Sequence, residues 1–425
     1  MAGPDKGTGD IRWMYASLPA NLATGPMATL ITLYILQLGG GVLDVAYAIT
    51  LSSAVTIPAV FFWGYFTDLL NKRKLFVVLS YLLTSLLVIS LFFEKDVAGV
   101  TFIYALMAFA AAAAVAPLNL LVMETGTENR WAHNFSVLQM LAGAGTTIGL
   151  VVAWIVTGVS TISYLLLVLF ISSIVSALMA IKMIKEPKNV GMQVSLYEGS
   201  RSFMYRLVGI PNMIIRIPNL QHITNLFRFH GFRSVERRFV ILFYVISFVF
   251  FLGTGIFNTE FPVGLKLGNM SESLIFFIIL ISTVVQTAVF HYYDSFARGH
   301  NSRVVSGLSL IGRGSGYLLV GLFFILFRGL AFYIGIPIFY VLAAGVAYAV
   351  YYTTSYSMLF RTLSGKGKGS TMGIYSAVIG VGSLSGALLS GGLVVEYGFG
   401  VTFIMAAALM FLCSYMFRIL PRVHQ

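Results

Sequence analysis

A short segment between two long apolar stretches carries a carboxylate and a basic cluster. Gly64 and Asp68 lie at the end of the first stretch, and Lys72 and Arg73 come just before the second. A carboxylate so close to lipid is costly unless it has a partner. Because a charge-assisted pair can break and form again, the segment predicts a charged latch at a membrane face. A basic loop that only sets orientation is the alternative.

A second carboxylate, Glu260, lies within an apolar stretch about two helical turns before Gly268. Inside a membrane, a carboxylate that faces a water-filled cavity can carry a proton or bind a cationic substrate. Burial favours the neutral acid until the site opens to water, which suits a proton carrier. We therefore predict that Glu260 is the site of proton coupling. The alternative is a hydrated carboxylate at the membrane interface that has no function.

Other polar side chains interrupt the apolar stretches. Four tyrosines at helical spacing offer an apolar ring and a hydroxyl group to a small organic solute, with aromatic packing between helices as the alternative: Tyr348, Tyr351, Tyr352 and Tyr356. We assign the first three to a substrate cavity, together with five amides that would otherwise form hydrogen bonds between helices: Asn21, Asn119, Gln139, Asn258 and Gln286. Arg313 lies mid-stretch among glycines, so we expect it to snorkel or to contact backbone carbonyls rather than to bind substrate.

The elements that must hold these side chains are membrane-spanning helices. Hydrophobic residues make up 58% of the 425 residues, charged residues make up 10%, and the mean hydropathy is +0.89. A soluble domain carries about 25% charged residues. Apolar stretches of about 20 residues, each long enough to cross a bilayer as a helix, recur along the chain. The composition therefore predicts an all-α, multi-pass membrane protein and argues against a soluble one.

The apolar stretches divide the chain into twelve predicted transmembrane helices. Their bounds are residues 12–38, 44–68, 74–93, 98–123, 135–158, 162–184, 239–263, 272–294, 304–327, 331–359, 370–394 and 399–419. The connection between spans six and seven is basic and contains Pro211 and Pro218, which predicts short interfacial helices. The domain prediction is therefore a six-helix bundle at residues 1–184, a cytoplasmic basic linker at 185–238 and a second six-helix bundle at 239–425.

The distribution of lysine and arginine predicts how the chain is oriented. Lys95, Lys266 and Arg328 fall on one side of the membrane, Arg313 lies within a span, and the remainder of the 27 basic residues fall on the opposite side. Basic residues collect on the cytoplasmic side, so both termini and the linker are predicted to lie in the cytoplasm, with the protein in the cell membrane. The net charge of +12 comes from basic residues in these loops, where they set the orientation and contact anionic lipid. No nucleic-acid partner is therefore expected.

Three features recur in the same order in the two halves of the chain. Leu-Gln-Leu-Gly at residues 36–39 ends span one, and Leu-Lys-Leu-Gly at residues 265–268 ends span seven. Glycines at 143, 145 and 149 lie in span five, and glycines at 380, 382 and 386 lie in span eleven. Asp68 ends span two, and Asp294 ends span eight. Such a repeat predicts a substrate site between the halves near the midplane, with access that alternates as the halves rock.

The segment that begins at Gly64 resembles the signature loop of the major facilitator superfamily, G-x-x-x-D-x-x-G-[RK]-[RK], between transmembrane helices 2 and 3. Gly64, Asp68, Lys72 and Arg73 match this pattern, and Leu69 and Asn71 depart from it. The resemblance extends over the chain and implies a cavity lined by spans 1, 4, 7 and 10, with spans 3, 6, 9 and 12 outermost. It also implies a cytoplasmic gating latch of these matching residues.

The resemblance assigns further charged residues to the same latch. The counterparts in the second half are Asp294, Arg298 and Arg303. Glu124 and Arg130 flank the loop between spans four and five and would join this network; a solvated loop pair is the alternative.

The residues and the resemblance together predict a secondary active transporter, a symporter or antiporter, that moves a small organic solute by alternating access and is coupled to protons. A multidrug or metabolite efflux antiporter is one alternative, since the glycine runs partly resemble the antiporter motif G-P-x-x-G-G, with Thr146 in place of its proline and Leu150 in place of its last glycine. A transporter-like sensor or scaffold without flux is another. Independently of this motif, the small glycines predict close contact between helices.

Several kinds of chemistry are not expected. The sequence contains no P-loop, no His-Glu zinc motif and no Gly-x-Ser-x-Gly elbow, and Cys413 is its single cysteine. We therefore expect no enzymatic activity, no cofactor and no bound metal. The expected partners are the small-molecule substrate, protons and the lipid bilayer, and the expected oligomeric state is a monomer.

Overall fold

The structure, a computed structural model, describes residues 11–70, 72–125, 131–186, 234–297, 301–327, 329–362 and 368–420. Helices account for nearly all of these residues. The physical reason is that a chain in lipid must satisfy its backbone N–H and C=O groups internally. Most of the linker, with its predicted interfacial helices, lies outside the described residues, as do both chain ends.

Seven helices form the first part of the described chain. After a 3-10 turn at Arg12–Ala16 they are α1 (Ser17–Thr24), α2 (Met27–Gln37), α3 (Val42–Leu70), α4 (Arg73–Phe93), α5 (Val97–Thr125), α6 (Trp131–Val159) and α7 (Ile162–Met183). The break between α1 and α2 occurs at Pro26, which has no N–H to donate to the preceding turn. α1 and α2 together cover the first predicted span, and the other five helices match spans two to six.

Six helices form the second part. They are α8 (Ser234–Leu267), α9 (Glu272–Ala297), α10 (Ser302–Leu326), α11 (Leu330–Tyr340), α12 (Tyr348–Thr362) and α13 (Lys368–Ile419). A π-helical turn, Val341–Ala347, joins α11 to α12 inside the tenth predicted span. α13 covers predicted spans eleven and twelve, which meet at the non-helical Gly398, with a φ of 78°. Glycine adopts that backbone conformation without a steric penalty because it has no Cβ.

Ten helices of the described chain are long and apolar enough to cross a membrane. α1 and α2 are each too short to count alone, and α13 counts as one helix although it contains two predicted spans. The protein is therefore an all-helical, multi-pass membrane protein, and the count of twelve spans stays a prediction.

Helix packing follows the same pattern in the two parts of the chain. α1 packs on α6 as α8 packs on α13, α3 packs on α5 as α9 packs on α12, and α4 packs on α7 as α10 packs on α13. Between the two parts, α3 packs on α13 and α6 packs on α9. Helices at corresponding places in the sequence therefore have corresponding partners.

Glycines of the two runs lie where helix backbones approach one another closely. A Cβ at Gly145 or Gly149 in α6 would overlap backbone carbonyl oxygens of α1, at Leu18 and Leu22. On α13, a Cβ at Gly382 or Gly386 would likewise overlap backbone carbonyl oxygens of α8. Glycine is needed at these positions because the backbones approach too closely to admit a side chain.

Candidate functional site

A cavity of about 480 Å³ lies between helices from both parts of the chain. Ala28 of α2 and Ile49 and Ser53 of α3 line one side, and the remaining lining residues come from α8 to α13. The polar members of this larger group are Thr254, Asn258, Thr259, Ser282, Thr283, Gln286, Arg313, Tyr340, Tyr348 and Ser383. Such a mixture of apolar walls and a few polar groups, at this volume, is typical of a site for a small molecule.

Three of the eight residues assigned to the cavity from the sequence line it, namely Asn258, Gln286 and Tyr348. Tyr351 and Tyr352 belong to the same helix but pack against aromatic rings, Tyr351 at 4.1 Å from Phe250 and Tyr352 at 6.0 Å from Phe290, measured between ring centroids. The side chain of Tyr356 lies outside the described residues. Tyr351 and Tyr352 therefore take part in aromatic packing, the alternative stated for them, and do not line this cavity.

The other three residues assigned to the cavity lie in the first part of the chain. Asn21 donates a hydrogen bond to the backbone oxygen of Ser17 at 2.8 Å, one turn earlier in its own helix. Asn119 of α5 and Gln139 of α6 are exposed and do not line this cavity. The sequence marks polar residues within spans, but the face on which each one lies depends on how the helices pack.

Glu260 is fully buried, with 0% of its surface exposed. Its neighbours in sequence, Asn258 and Thr259, line the cavity, whereas Glu260 itself points to α13, where Oε1 lies 2.7 Å from the hydroxyl of Ser390. Its other oxygen, Oε2, has no hydrogen-bond partner among the described residues. The carboxyl group thus lies in the protein interior behind the cavity wall, and not at a hydrated interface. A negative charge is costly in such a place.

Arg313 of α10 is also buried, with 2% of its surface exposed, and it lines the cavity. Its guanidinium donates to the backbone oxygen of Ala343 at 3.3 Å and to the hydroxyl of Thr254 at 3.4 Å. The expected contact with a backbone carbonyl is present, but the side chain does not snorkel. Its place on the cavity wall differs from the outermost place that the family resemblance implied for the ninth span.

α10 packs closely against the π-helical turn, and residues of both line the cavity. Gly316 of α10 packs closely against Ala343 and the backbone oxygen of Phe339, where a Cβ would lie 2.6 Å from Ala343 Cβ. A π turn widens the helix and turns backbone carbonyls out of the usual hydrogen-bonding pattern, which is common at functional sites. The carbonyl of Ala343 is one that Arg313 contacts. In the sequence, the only indication of this site is an arginine in the middle of an apolar stretch.

The predicted latch lies partly within the described residues. Gly64 has open space around it, since a Cβ added there would have no neighbouring atom within 4 Å. Lys72 is exposed. Arg73 is buried and donates to the backbone oxygen of Thr67 at 3.0 Å. The side chains of Asp68, Glu124 and Asp294, and the residues Arg130 and Arg298, lie outside the description. Arg303 donates from Nε to the backbone oxygen of Phe417 at 2.6 Å, which fastens α10 to α13.

Glu186, which follows α7, was not among the residues singled out from the sequence. Its carboxylate accepts hydrogen bonds from the backbone N–H groups of Arg73 and Lys74, at 3.1 and 3.0 Å. Those groups belong to the first turn of α4 and have no partner within their own helix. A carboxylate at a helix N-terminus also interacts favourably with the helix dipole. Glu186 therefore ties the end of α7 to the start of α4, next to the predicted latch.

At the opposite end of the molecule, polar contacts join the two parts of the chain. Gln37, at the end of α2, donates to Glu272 Oε1 at 2.7 Å, and Lys266 donates to the same oxygen at 2.6 Å. Close by, Ser273 of α9 donates to the backbone oxygen of Trp154 of α6 at 2.9 Å. These contacts hold α2 and α6 against α8 and α9 at the end that bears Lys266.

Comparisons with known proteins agree with this architecture. The sequence matches the family model described as Major Facilitator Superfamily over residues 16–343. A solved POT family transporter in complex with 5-aminolevulinic acid has a TM-score of 0.75 and 13% identity, with 96% of this chain and 95% of that chain covered. A solved nucleoside transporter has a TM-score of 0.68 and 12% identity, with 98% and 100% covered. No curated protein matches the sequence.

The family match and the structural matches support different statements. At 12–13% identity the solved structures support the fold and not the substrate. The family model covers most of the chain, including the segment at Gly64 to Arg73 and the helices that form most of the cavity. The chain therefore belongs to the major facilitator superfamily, a family of membrane transporters.

Proposed function

We propose that this protein is a secondary active transporter that carries a small organic solute through the cavity by alternating access. The observation that carries the proposal is the cavity itself, which has polar side chains on its walls and is lined from both parts of the chain. Family membership supports it. Similar structures hold small molecules, 5-aminolevulinic acid in one and a thioalcohol-conjugated peptide in another.

The moving parts in this proposal are two six-helix bundles, residues 1–184 and 239–425, which make twelve spans if α1 with α2 counts as one span and α13 as two. The matching helix partners in the two parts support this division. The proposed driving force is a proton gradient that acts through Glu260. The buried place of Glu260 directly behind the cavity wall supports that assignment, because protonation there could respond to opening of the cavity.

Transport is tested by flux into proteoliposomes that contain the purified protein. Small solutes from a cell extract are supplied outside, and those accumulated under an imposed pH gradient are identified by mass spectrometry against protein-free liposomes. We expect at least one solute to accumulate only with protein and gradient present. Accumulation under the opposite gradient would favour the efflux antiporter. A folded protein that neither accumulates nor exchanges any solute would favour a sensor or scaffold.

We also infer that the described conformation is closed on the outer side of the membrane. The polar contacts between the two parts lie at the end that bears Lys266, and the basic-residue asymmetry predicts that this end faces outwards. Both chain termini then lie in the cytoplasm. The cavity would be reached from the cytoplasm in this state, and breaking the contact between Gln37 and Glu272 would accompany opening to the outside.

Cysteine labelling tests both the orientation and the closed end. On a Cys413→Ala background, Lys72→Cys should react with an impermeant maleimide from the cytoplasmic side, and Lys95→Cys should react from the outer side. Ser53→Cys, on the cavity wall, should react faster from the cytoplasmic side. Labelling of positions 72 and 95 from one side would contradict the predicted topology. Faster outer-side labelling of position 53 would contradict the closed outer end alone.

A further inference from the structure

The guanidinium of Arg313 is a buried positive charge that has no balancing negative charge within the part of the chain that the structure describes. No carboxylate among the described residues forms an ion pair with it, and Glu260, the buried carboxyl group of α8, is hydrogen-bonded to Ser390. A guanidinium has five N–H donors. Its two hydrogen bonds are long, at 3.3 and 3.4 Å, and Nε has no hydrogen-bond partner among the described residues. A buried charge in this condition is costly unless something else compensates for it.

Aromatic rings supply part of that compensation and position the group. The central guanidinium carbon lies 5.2 Å from the ring centre of Phe250, 5.0 Å from Tyr317 and 4.8 Å from Tyr348. Cations are attracted to aromatic faces at such distances. Tyr348 and Thr254, which also contact Arg313, line the cavity. The guanidinium is therefore held in a cage of three rings at the cavity wall, with hydrogen-bonding capacity left over.

We propose that Arg313 binds a carboxylate of the transported solute, and that the substrate is a small organic anion with one negative charge. This rests on the transport function proposed above. A planar carboxylate matches the two parallel N–H donors of a guanidinium. One cation balances one negative charge, so a carboxylate leaves no excess charge in the buried site, whereas a phosphate dianion would.

The rest of the cavity agrees with an organic body attached to that carboxylate. Phe251, Tyr340 and Ile49 provide apolar and aromatic walls, and Asn258 and Gln286 provide donors and acceptors. Tyr340 itself stacks on Phe261, with ring centroids 4.0 Å apart, so this wall is firmly packed. The arrangement places the charge-binding group on one wall and apolar surface around it, as sites for small organic ligands require.

The experiment compares matched carboxylates and amides on the purified full-length protein. The probes are a panel of aromatic and aliphatic monocarboxylates, the neutral amide of each, and the corresponding monoalkyl phosphates. Binding is measured by thermal shift and then by titration calorimetry. We expect one or more carboxylates to bind the wild-type protein, with the matched amide weaker by about tenfold or more, the factor that corresponds to about 1.4 kcal/mol. Equal binding of acid and amide, failure of every carboxylate, or preference for the phosphates would overturn the proposal.

Variants separate a binding role from a purely structural one. Arg313→Met should weaken carboxylate binding by about tenfold or more and leave amide binding little changed, while Arg313→Lys, which keeps the charge, should retain part of the preference. Arg238→Met removes a charge from an exposed position of α8 and serves as the control. Should Arg313→Met fail to fold, Arg313→Lys and the wild-type comparison of acid with amide still test whether the site binds a carboxylate. Transport of neutral solutes with no preference for carboxylates would overturn this proposal but would not contradict the proposed transport function.

Discussion

In proteoliposomes, Glu260→Gln is expected to abolish solute accumulation driven by a pH gradient and to leave exchange of solute across the membrane intact. Glutamine resembles the protonated acid but cannot release a proton. Exchange requires only that the loaded transporter changes between its two states, whereas accumulation requires proton release on one side. If one proton moves with each solute, a gradient of one pH unit supports about tenfold accumulation by the wild-type protein. The variant should show no accumulation.

The local geometry of Glu260 supports this expectation. The hydroxyl of Ser390 lies 2.7 Å from Glu260 Oε1 and 2.8 Å from the backbone oxygen of Ala387. A hydroxyl has one hydrogen to donate. If Ser390 donates it to the carbonyl, the short contact with Glu260 needs a hydrogen from a protonated carboxyl group. The geometry thus accommodates the neutral acid at this buried position, and proton release would require a rearrangement around Ser390.

The measurement is uptake with and without a pH gradient, paired with counterflow in preloaded vesicles. Glu396→Gln, which changes an exposed carboxylate in α13 by the same chemistry, is the control and should accumulate solute normally. If Glu260→Gln keeps full pH-driven accumulation, Glu260 is not the coupling site. Loss of both accumulation and counterflow would instead indicate that Glu260 is needed for folding or for conformational change.

Substitution of single glycines should divide the two glycine runs into tolerant and intolerant positions. Gly145→Ala and Gly386→Ala each place a methyl group against a backbone carbonyl oxygen of a neighbouring helix, which has no rotamer by which to move away. Overpacking of this kind costs about 1–3 kcal/mol. We therefore expect each variant to be destabilised by about this amount, measured as a lower melting temperature and a lower urea midpoint in detergent.

The same runs contain their own controls. A methyl group added at Gly143 would have no atom within 4 Å, and the nearest atom to one added at Gly380 is a side-chain carbon of Ile57 at 3.8 Å, an ordinary contact. Alanine also favours helix over glycine by about 1 kcal/mol. Gly143→Ala and Gly380→Ala should therefore be neutral or slightly stabilised. Equal effects at positions 143 and 145 would show that close backbone contact is not the reason for these glycines.

The sequence by itself determined the helices and much of their packing chemistry. Hydropathy located the spans to within a few residues of the observed bounds, because a membrane helix has to be both long and apolar. The break at Pro26 within the first span and the non-helical Gly398 between spans eleven and twelve were not predicted, although each occurs at a residue type that favours it. The paired glycine runs indicated close helix contacts, since no other residue permits helix backbones to approach so closely.

Only the tertiary structure decided which side chains meet. Glu260 and Ser390 are 130 residues apart, and Glu186 reaches the first turn of α4 from the end of α7. Periodicity describes one helix at a time, so it could not show that the cavity is lined mainly by the second part of the chain. Nor could it place Arg313 on the cavity wall. That position is seen only from contacts between helices, among them the hydrogen bond from Arg313 to the carbonyl of Ala343 in a π-helical turn, which helical periodicity does not reveal.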